Sequence, residues 1–331
     1  MKTAAGMLCL AGILSLGMGT TVFAEDGDSH YPVTITTYNY ENEPVEMTFE
    51  KAPEKVFAYA NSNIEELLAL GLGDKIVAAC GLDGDVREDL KDEFDKIQYM
   101  DTKPSKEEVV AMEPDFIAAW YSSFSDDWLS DVSFWQERNV NTYMSLNSAA
   151  KGPASEFPRT IEDEYEDILN LGKIFDCEDK AEEIVDQMKG EIDKVKEHVE
   201  GTDPLSVAVL EDEGDSFRVY GTETLGGNIP ETLGAELKLG AENSENVGAE
   251  DLIAADPDVL FMINYDGFMT ADEALKYGIA DITDNPAYAS LSAVKNNKVF
   301  SVNLNEVYCS GVRTYDGIMT FAKALYPDLY E

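Results

Sequence analysis

The sequence predicts an α/β protein of two similar αβ sandwich lobes joined by a single long interdomain helix, with a ligand cleft between the lobes. Three observations carry this. A phrase of short helix, Pro-Asp turn and buried strand occurs twice, as EEVVAMEPDFIAAW at 107–120 and EDLIAADPDVLFMI at 250–263. Between the copies, residues 176–199 set Ala181, Ile184, Val185, Met188, Ile192, Val195 and Val199 on one helical stripe, with Gly201 just past the end. In the first half, KVFAYA followed by NSNIEELLALGLGDKIVAAC reads as strand, helix, strand, the signature of a parallel unit.

A chain of 331 residues accommodates two domains, and an apolar content of 44% marks it as globular. Residues 1–24 read as a signal peptide: Lys2 supplies the charge, 7–18 the apolar run, and Val22-Phe23-Ala24 the cleavage site. The run falls short of the about 20 residues a membrane span needs. No cysteine follows its end, and Cys9 lies too early, so the signal does not support a lipid anchor. The expectation is an exported protein, periplasmic or on the extracellular face of the membrane. Its N-terminal lobe is expected at 25–172, the linking helix at 173–202 and the C-terminal lobe at 203–331.

The formal net charge of -42 repels nucleic acid. It mildly favours neutral or cationic ligands unless a local basic pocket overrides it. Cys80, Cys177 and Cys309 form no CxxC and read as free thiols. His30 and His198 are too few for a histidine-rich metal site.

Taken in order, residues 31–50 alternate around a polar turn at 41–43 and predict a hairpin. Residues 55–60 form the first buried strand. The loop Asn61-Ser62-Asn63 after it is a candidate contact, because ligands on parallel sheets lie off the carboxyl ends of strands; capping of the next helix by Ser62 or Asn63 is the plainer role. Ser105 to Glu108 has the S-x-x-E capping form, so Glu108 is structural, whereas Glu107 points to solvent and gains from the helix dipole. The strand 115–120 ends in WYSSFSDDW, which makes Trp120 and Tyr121 candidates for a flat or bulky ligand. A further strand is expected at 139–145.

Residues 160–175 form an acidic helix directly before the long one. Strands follow at 205–210 and up to Tyr220, itself either a contact or a core residue, and a loop at 221–228 leads to a helix. Asn264 and Tyr265 end the strand of the second phrase, where Tyr121 and Ser122 end that of the first, so both pairs face one cleft. The last strand, a loop and a helix ending before Pro327 complete the chain. Arg313, a cation near that helix's start, needs a partner there, either a carboxylate of the protein or an acidic or carbonyl-rich ligand.

The segment 47–53, NSNIEELLALGLGDKIVA, both E-x-[VL]-[VI]-A-x-x-P-D phrases, NKVFSV and SGVRTYDGIMTFAKALYPDLY together resemble the ABC-transporter substrate-binding proteins for ferric siderophores, cobalamin and heme. The match covers about residues 31–330. It implies two lobes held by one helix, a small closing motion, and a monomer that is not an enzyme and needs no cofactor. It also implies docking on a permease dimer through one glutamate per lobe, here Glu107 and Glu250. Siderophore binders of this kind use arginine and aromatic residues, which the resemblance transfers to Arg313, Trp120, Tyr121, Tyr220, Tyr265 and Tyr308. Tyrosine can equally ligate heme iron, and aromatics can hold a corrinoid. The expected cargo is a ferric siderophore, with cobalamin or heme as the alternatives. A secreted hydrolase is disfavoured, since the sequence has no G-x-S-x-G elbow.

Overall fold

The computed structural model of the chain describes residues 30–148, 158–240, 246–265, 268–269, 271–274 and 276–331. The expected signal peptide lies outside the described residues. Residues 31–331 make one compact unit.

The predicted hairpin is β1 (Val33–Tyr38) against β2 (Pro44–Phe49), antiparallel from Val33↔Phe49 to Tyr38↔Pro44. The first sheet holds β3 (Val56–Tyr59), β4 (Ile76–Cys80), β5 (Tyr99–Met100), β6 (Phe116–Ala119) and β7 (Asn141–Met144) in the order β5-β4-β3-β6-β7. All its pairings are parallel. The second sheet holds β8 (Ser206–Asp212), β9 (Phe217–Val219), β10 (Glu236–Leu237), β11 (Val259–Asn264) and β12 (Val299–Asn303). Its order is β10-β8-β11-β12, parallel, with β9 antiparallel to β8. β6 and β11 are buried along their whole length, which is why both read as unbroken apolar runs.

Helices of six or more residues are α1 (Asn61–Ala69), α2 (Lys106–Ala111), α3 (Ile161–Phe175), α4 (Glu178–Val199), α5 (Leu225–Thr232), α6 (Ala249–Ala255) and α7 (Thr314–Leu325). The long predicted helix is α4, with 22 residues and hence a length of about 33 Å. It buries Ala181, Val185, Met188, Ile192 and Val195, while Ile184 and Val199 are half-buried. It packs on α3 and α7, and one continuous apolar core runs from the first sheet through α3 and α4 to the second. Among the described residues no helix is long and apolar enough to cross a membrane.

The repeated Pro-Asp phrase has a mechanical reason. Asp115 accepts hydrogen bonds from the amides of Glu54 (3.0 Å) and Lys55 (2.8 Å), just before β3. Asp258 accepts from the amide (3.0 Å) and hydroxyl (2.7 Å) of Ser206, where β8 begins. Each aspartate thus ties its own strand to the neighbour it pairs with. Ahead of them, Glu108 and Asp251 accept from the amides of Ser105 (2.7 Å) and Gly248 (2.9 Å), closing the first turns of α2 and α6.

Two expected loops are shorter than the sequence implied. Helix α1 starts at Asn61 itself, after Ala60 at φ 77°, with no side-chain cap. Ser62 and Asn63 do not cap because their side chains bind elsewhere: Asn63 donates to the Tyr59 carbonyl (2.9 Å) and accepts from the Ser145 hydroxyl (3.0 Å). In the second lobe α5 begins at Leu225, with the Thr224 hydroxyl accepting from the Gly227 amide. Glycine is required at 227, where a Cβ would lie 2.0 Å from the Gly221 carbonyl oxygen. Among the described residues Cys80, Cys177 and Cys309 are free, with Cys80 and Cys309 buried.

Candidate ligand-binding cleft

In both sheets the chain reverses its direction of growth beside the first strand, between β3 and β6 and between β8 and β11. Ligands of open parallel sheets sit outside the carboxyl ends of strands at such points. There the structure forms a cavity of about 160 Å³ lined by Asp83, Trp120, Asn264, Tyr265, Leu304, Asn305 and Tyr308. Asp83 and Trp120 come from the first lobe and the rest from the second, so the cavity lies between the lobes.

Four sequence-predicted residues meet here: Trp120, Asn264, Tyr265 and Tyr308. The Trp120 ring stands edge-on to Tyr59 (6.5 Å) and Tyr308 (6.0 Å). Its indole NH donates to Ser62 Oγ at 3.0 Å across the β3/β6 reversal. Buried Asn264 donates to Asn303 Oδ1 at 3.0 Å, while Tyr265 is 63% exposed at the mouth. Tyr121 lies beside this group and stacks on Tyr40 of the hairpin turn at 5.8 Å with nearly parallel rings.

The other candidates support the cavity without lining it. Asn61 is buried, accepting from the Asp83 amide (2.8 Å) and donating to the Gly84 carbonyl (3.3 Å), so it holds the loop that presents Asp83. Ser62 is likewise buried and positions Trp120. Tyr220 is buried, with its hydroxyl donating to Glu211 at 2.9 Å. Arg313, transferred to the ligand by the resemblance, is not among the residues lining the cavity. It makes a two-pronged ion pair with Glu65 (2.7 and 2.8 Å) and donates to the Asp85 carbonyl. Of its two possible partners, the protein's own carboxylate holds it. Glu107 and Glu250 are both exposed in the first turns of α2 and α6.

The sequence reading missed two arginines. Arg159 lies 5.3 Å from the centre of the Tyr308 ring, and Arg218 lies 5.3 Å from that of Tyr220. Burial raises the Tyr308 phenol, and the charges of Arg159 and Arg218 offset part of that rise. Arg218 also pairs with Glu211 at 3.6 Å. The available signal for Arg218 was the alternation of β9, which buries Phe217 and Val219 and turns Arg218 outward. Nothing local marks Arg159, just ahead of α3.

Behind the cavity the lobes are fastened along 309–313. Cys309 Sγ lies 3.7 Å from Ser62 Oγ. The amides of Ser310 and Gly311 donate to Glu164, the Val312 carbonyl accepts from Arg87 at 3.0 Å, and Arg313 takes Glu65. Glu164 also accepts from Asn147 at 2.6 Å, and burial pushes its carboxyl up to about 7. Glu66 and Asp167, buried close by, are raised by burial and by the neighbouring carboxyls. Asp167 still accepts from Tyr143 (2.7 Å) and the Leu146 amide (2.9 Å).

An interlobe cleft with aromatic walls on a two-sheet frame held by α4 defines a solute-binding protein. Residues 56–303 match the model of the periplasmic binding protein family, and the chain belongs to it. A crystal structure of a periplasmic binding protein from Veillonella parvula DSM 2008 superposes with a TM-score of 0.81 at 32% identity, covering 91% of this chain and 94% of that one. The uncharacterized ABC transporter substrate-binding lipoprotein YvrC of Bacillus subtilis (strain 168) is 25% identical over the full length of both chains. The petrobactin-binding protein YclQ of the same organism is 24% identical over 79% of this chain and 78% of its own. The protein is therefore an ABC transporter substrate-binding protein of that family. Such proteins work outside the cytoplasm, bind small molecules for a permease, and are transport proteins, not enzymes.

Proposed function

We propose that the protein captures a ferric siderophore and delivers it to its importer. The observation carrying this reading is the pair Arg159 and Arg218 set against Tyr308 and Tyr220, beside Trp120, in a chain of net charge -42. Guanidiniums beside the aromatic wall of the cavity, inside an acidic exterior, suit a compact anion with flat donor groups, which describes a ferric chelate better than a neutral solute. The cavity of about 160 Å³ is smaller than the roughly 300 Å³ at which ligand pockets begin. A chelate would therefore seat one face in it and extend over Tyr121 and the arginines.

Titrating the purified protein with ferric petrobactin, ferric catecholate and hydroxamate siderophores, hemin and cobalamin, while following tryptophan fluorescence, tests this directly. At least one anionic ferric siderophore should quench the signal at submicromolar concentration. Arg159→Ala or Arg218→Ala should weaken that binding about tenfold or more, the loss of one charged contact. Tight binding of hemin or cobalamin with no siderophore response would overturn the cargo assignment.

A further inference from the structure

The cavity between the lobes carries polar groups that the anionic part of a chelate leaves without a role. Among the described residues no lysine, arginine or histidine lines it. Two of its side-chain donors are already taken, the Trp120 indole NH by Ser62 and an Asn264 amide NH by Asn303. Its acceptors are not. Asn305 Oδ1 is shut off from water with no hydrogen-bond partner, a state that costs free energy until a donor arrives. Asp83 forms no ion pair among the described residues. Although exposed on one side, it is partly withdrawn from water, which raises its carboxyl, and its own amide and the charge of Arg313 offset part of that rise.

These groups are held in place by the fold itself. Asn61 accepts from the Asp83 amide at 2.8 Å and donates to the Gly84 carbonyl at 3.3 Å, which fixes the loop that presents the carboxylate. Asn305 lies between β12 and the fastened segment 309–313. Trp120 and Tyr308 meet at 72° and make an aromatic corner. Arg159 stands over the Tyr308 ring, whereas no lysine or arginine among the described residues stands over Trp120, the ring type that attracts cations most strongly. A carboxylate, an unpaired amide oxygen and an indole wall together call for a ligand group that is cationic, bears N–H donors and is partly apolar.

We propose that the cavity is an ammonium subsite, which takes the protonated amine at the end of a flexible arm of the cargo, with Asp83 as counter-charge, Asn305 Oδ1 as acceptor and Trp120 as wall. For the remainder of the ligand the proposal rests on the siderophore reading above. The iron-bound portion stays outside, over Tyr121 and the arginines, because a cavity of about 160 Å³ is too small for it. A neutral amide could satisfy Asn305 alone. Only a cation also answers Asp83 and Trp120 and is drawn in by a chain of net charge -42. An aliphatic amine, with a pKa of about 10, carries that charge at neutral pH. The cargo class is thereby narrowed to ferric chelates that keep a free aliphatic amine, and Asp83 becomes the residue that distinguishes them from fully acylated ones.

Titrating the purified protein with n-butylammonium chloride and with butan-1-ol at constant ionic strength, while following tryptophan fluorescence, tests the subsite without any siderophore. Butylammonium should saturate at millimolar concentration and bind about tenfold or more tightly than the alcohol. Asp83→Asn should melt at the wild-type temperature, lose that preference and leave the alcohol's weak binding unchanged, whereas Asp83→Glu should keep part of the preference. A merely structural aspartate would weaken both probes alike. No saturable response to butylammonium, or a preference that survives Asp83→Asn, would disprove the subsite. The second arm uses ferrioxamine B, a ferric trihydroxamate that ends in a primary amine, and its N-acetylated form, which keeps the chelate and loses the charge. The amine form should displace butylammonium and bind about tenfold or more tightly than the acetylated one, with the ratio falling to about one in Asp83→Asn. Equal binding of the two forms would keep the siderophore reading and sink the ammonium subsite. Saturable butylammonium binding with no response to any ferric siderophore would keep the subsite and sink the siderophore reading.

Discussion

At the scale of single residues, the contacts between the lobes are more constrained than those in the cleft. The Glu65 side chain is fully buried and Arg313 nearly so, making a two-pronged pair that joins α1 to the start of α7. Removing one member strands the other charge away from water, so Arg313→Ala should lower stability by about 3–5 kcal/mol in urea unfolding. Glu164 should leave a pH signature. Its carboxyl is raised from the usual 4.5 to about 7, so the folded chain keeps a proton that the unfolded chain loses. The stability it contributes is complete below about pH 4.5 and disappears as pH rises through about 7. Glu66 and Asp167 act in the same direction. Thermal melts across this window should show a shallower decline for Glu164→Gln than for the wild type.

At the scale of elements, α4 and the fastened segment 309–313 divide the work of holding the lobes. Helix α4 does so through its apolar stripe, whose centre is the fully buried Met188. Truncating it to alanine leaves a cavity among α3, α4 and α7, and Met188→Ala should cost about 2–5 kcal/mol by chemical denaturation. The segment 309–313 acts through polar ties, and Tyr308, immediately before it, lines the cavity. The ligand wall in the second lobe is therefore set by contacts made to the first.

At the scale of the molecule, an apolar core continuous through both lobes argues for a cleft that is largely formed before the ligand arrives. It also keeps α2 and α6 at a fixed separation. Glu107→Ala together with Glu250→Ala should leave ferric siderophore affinity near that of the wild type, because both residues lie outside the cleft. Uptake by reconstituted importer should fall at least tenfold. Uptake at the wild-type rate would remove these glutamates from the docking surface.

Much of this organisation was legible in the sequence because it rests on local periodicity. The α4 stripe, the buried runs of β6 and β11, the hairpin and the two Pro-Asp phrases each state their structure within about twenty residues. Part of the cavity's lining was legible too, since Trp120, Asn264 and Tyr265 come at strand ends that periodicity locates. What only the tertiary structure decided is where the charges go. Helix α1 carries Ser62, Glu65 and Glu66 in buried positions because that side meets the segment 309–313 of the other lobe, and a one-dimensional pattern cannot tell that face from solvent. Arg313 met Glu65, 248 residues away, and Arg159 and Arg218 came against the Tyr308 and Tyr220 rings. Periodicity reports how a segment meets its own sheet or helix partner; the pairing of distant ions depends on how two finished lobes come together, which no single stretch of sequence contains.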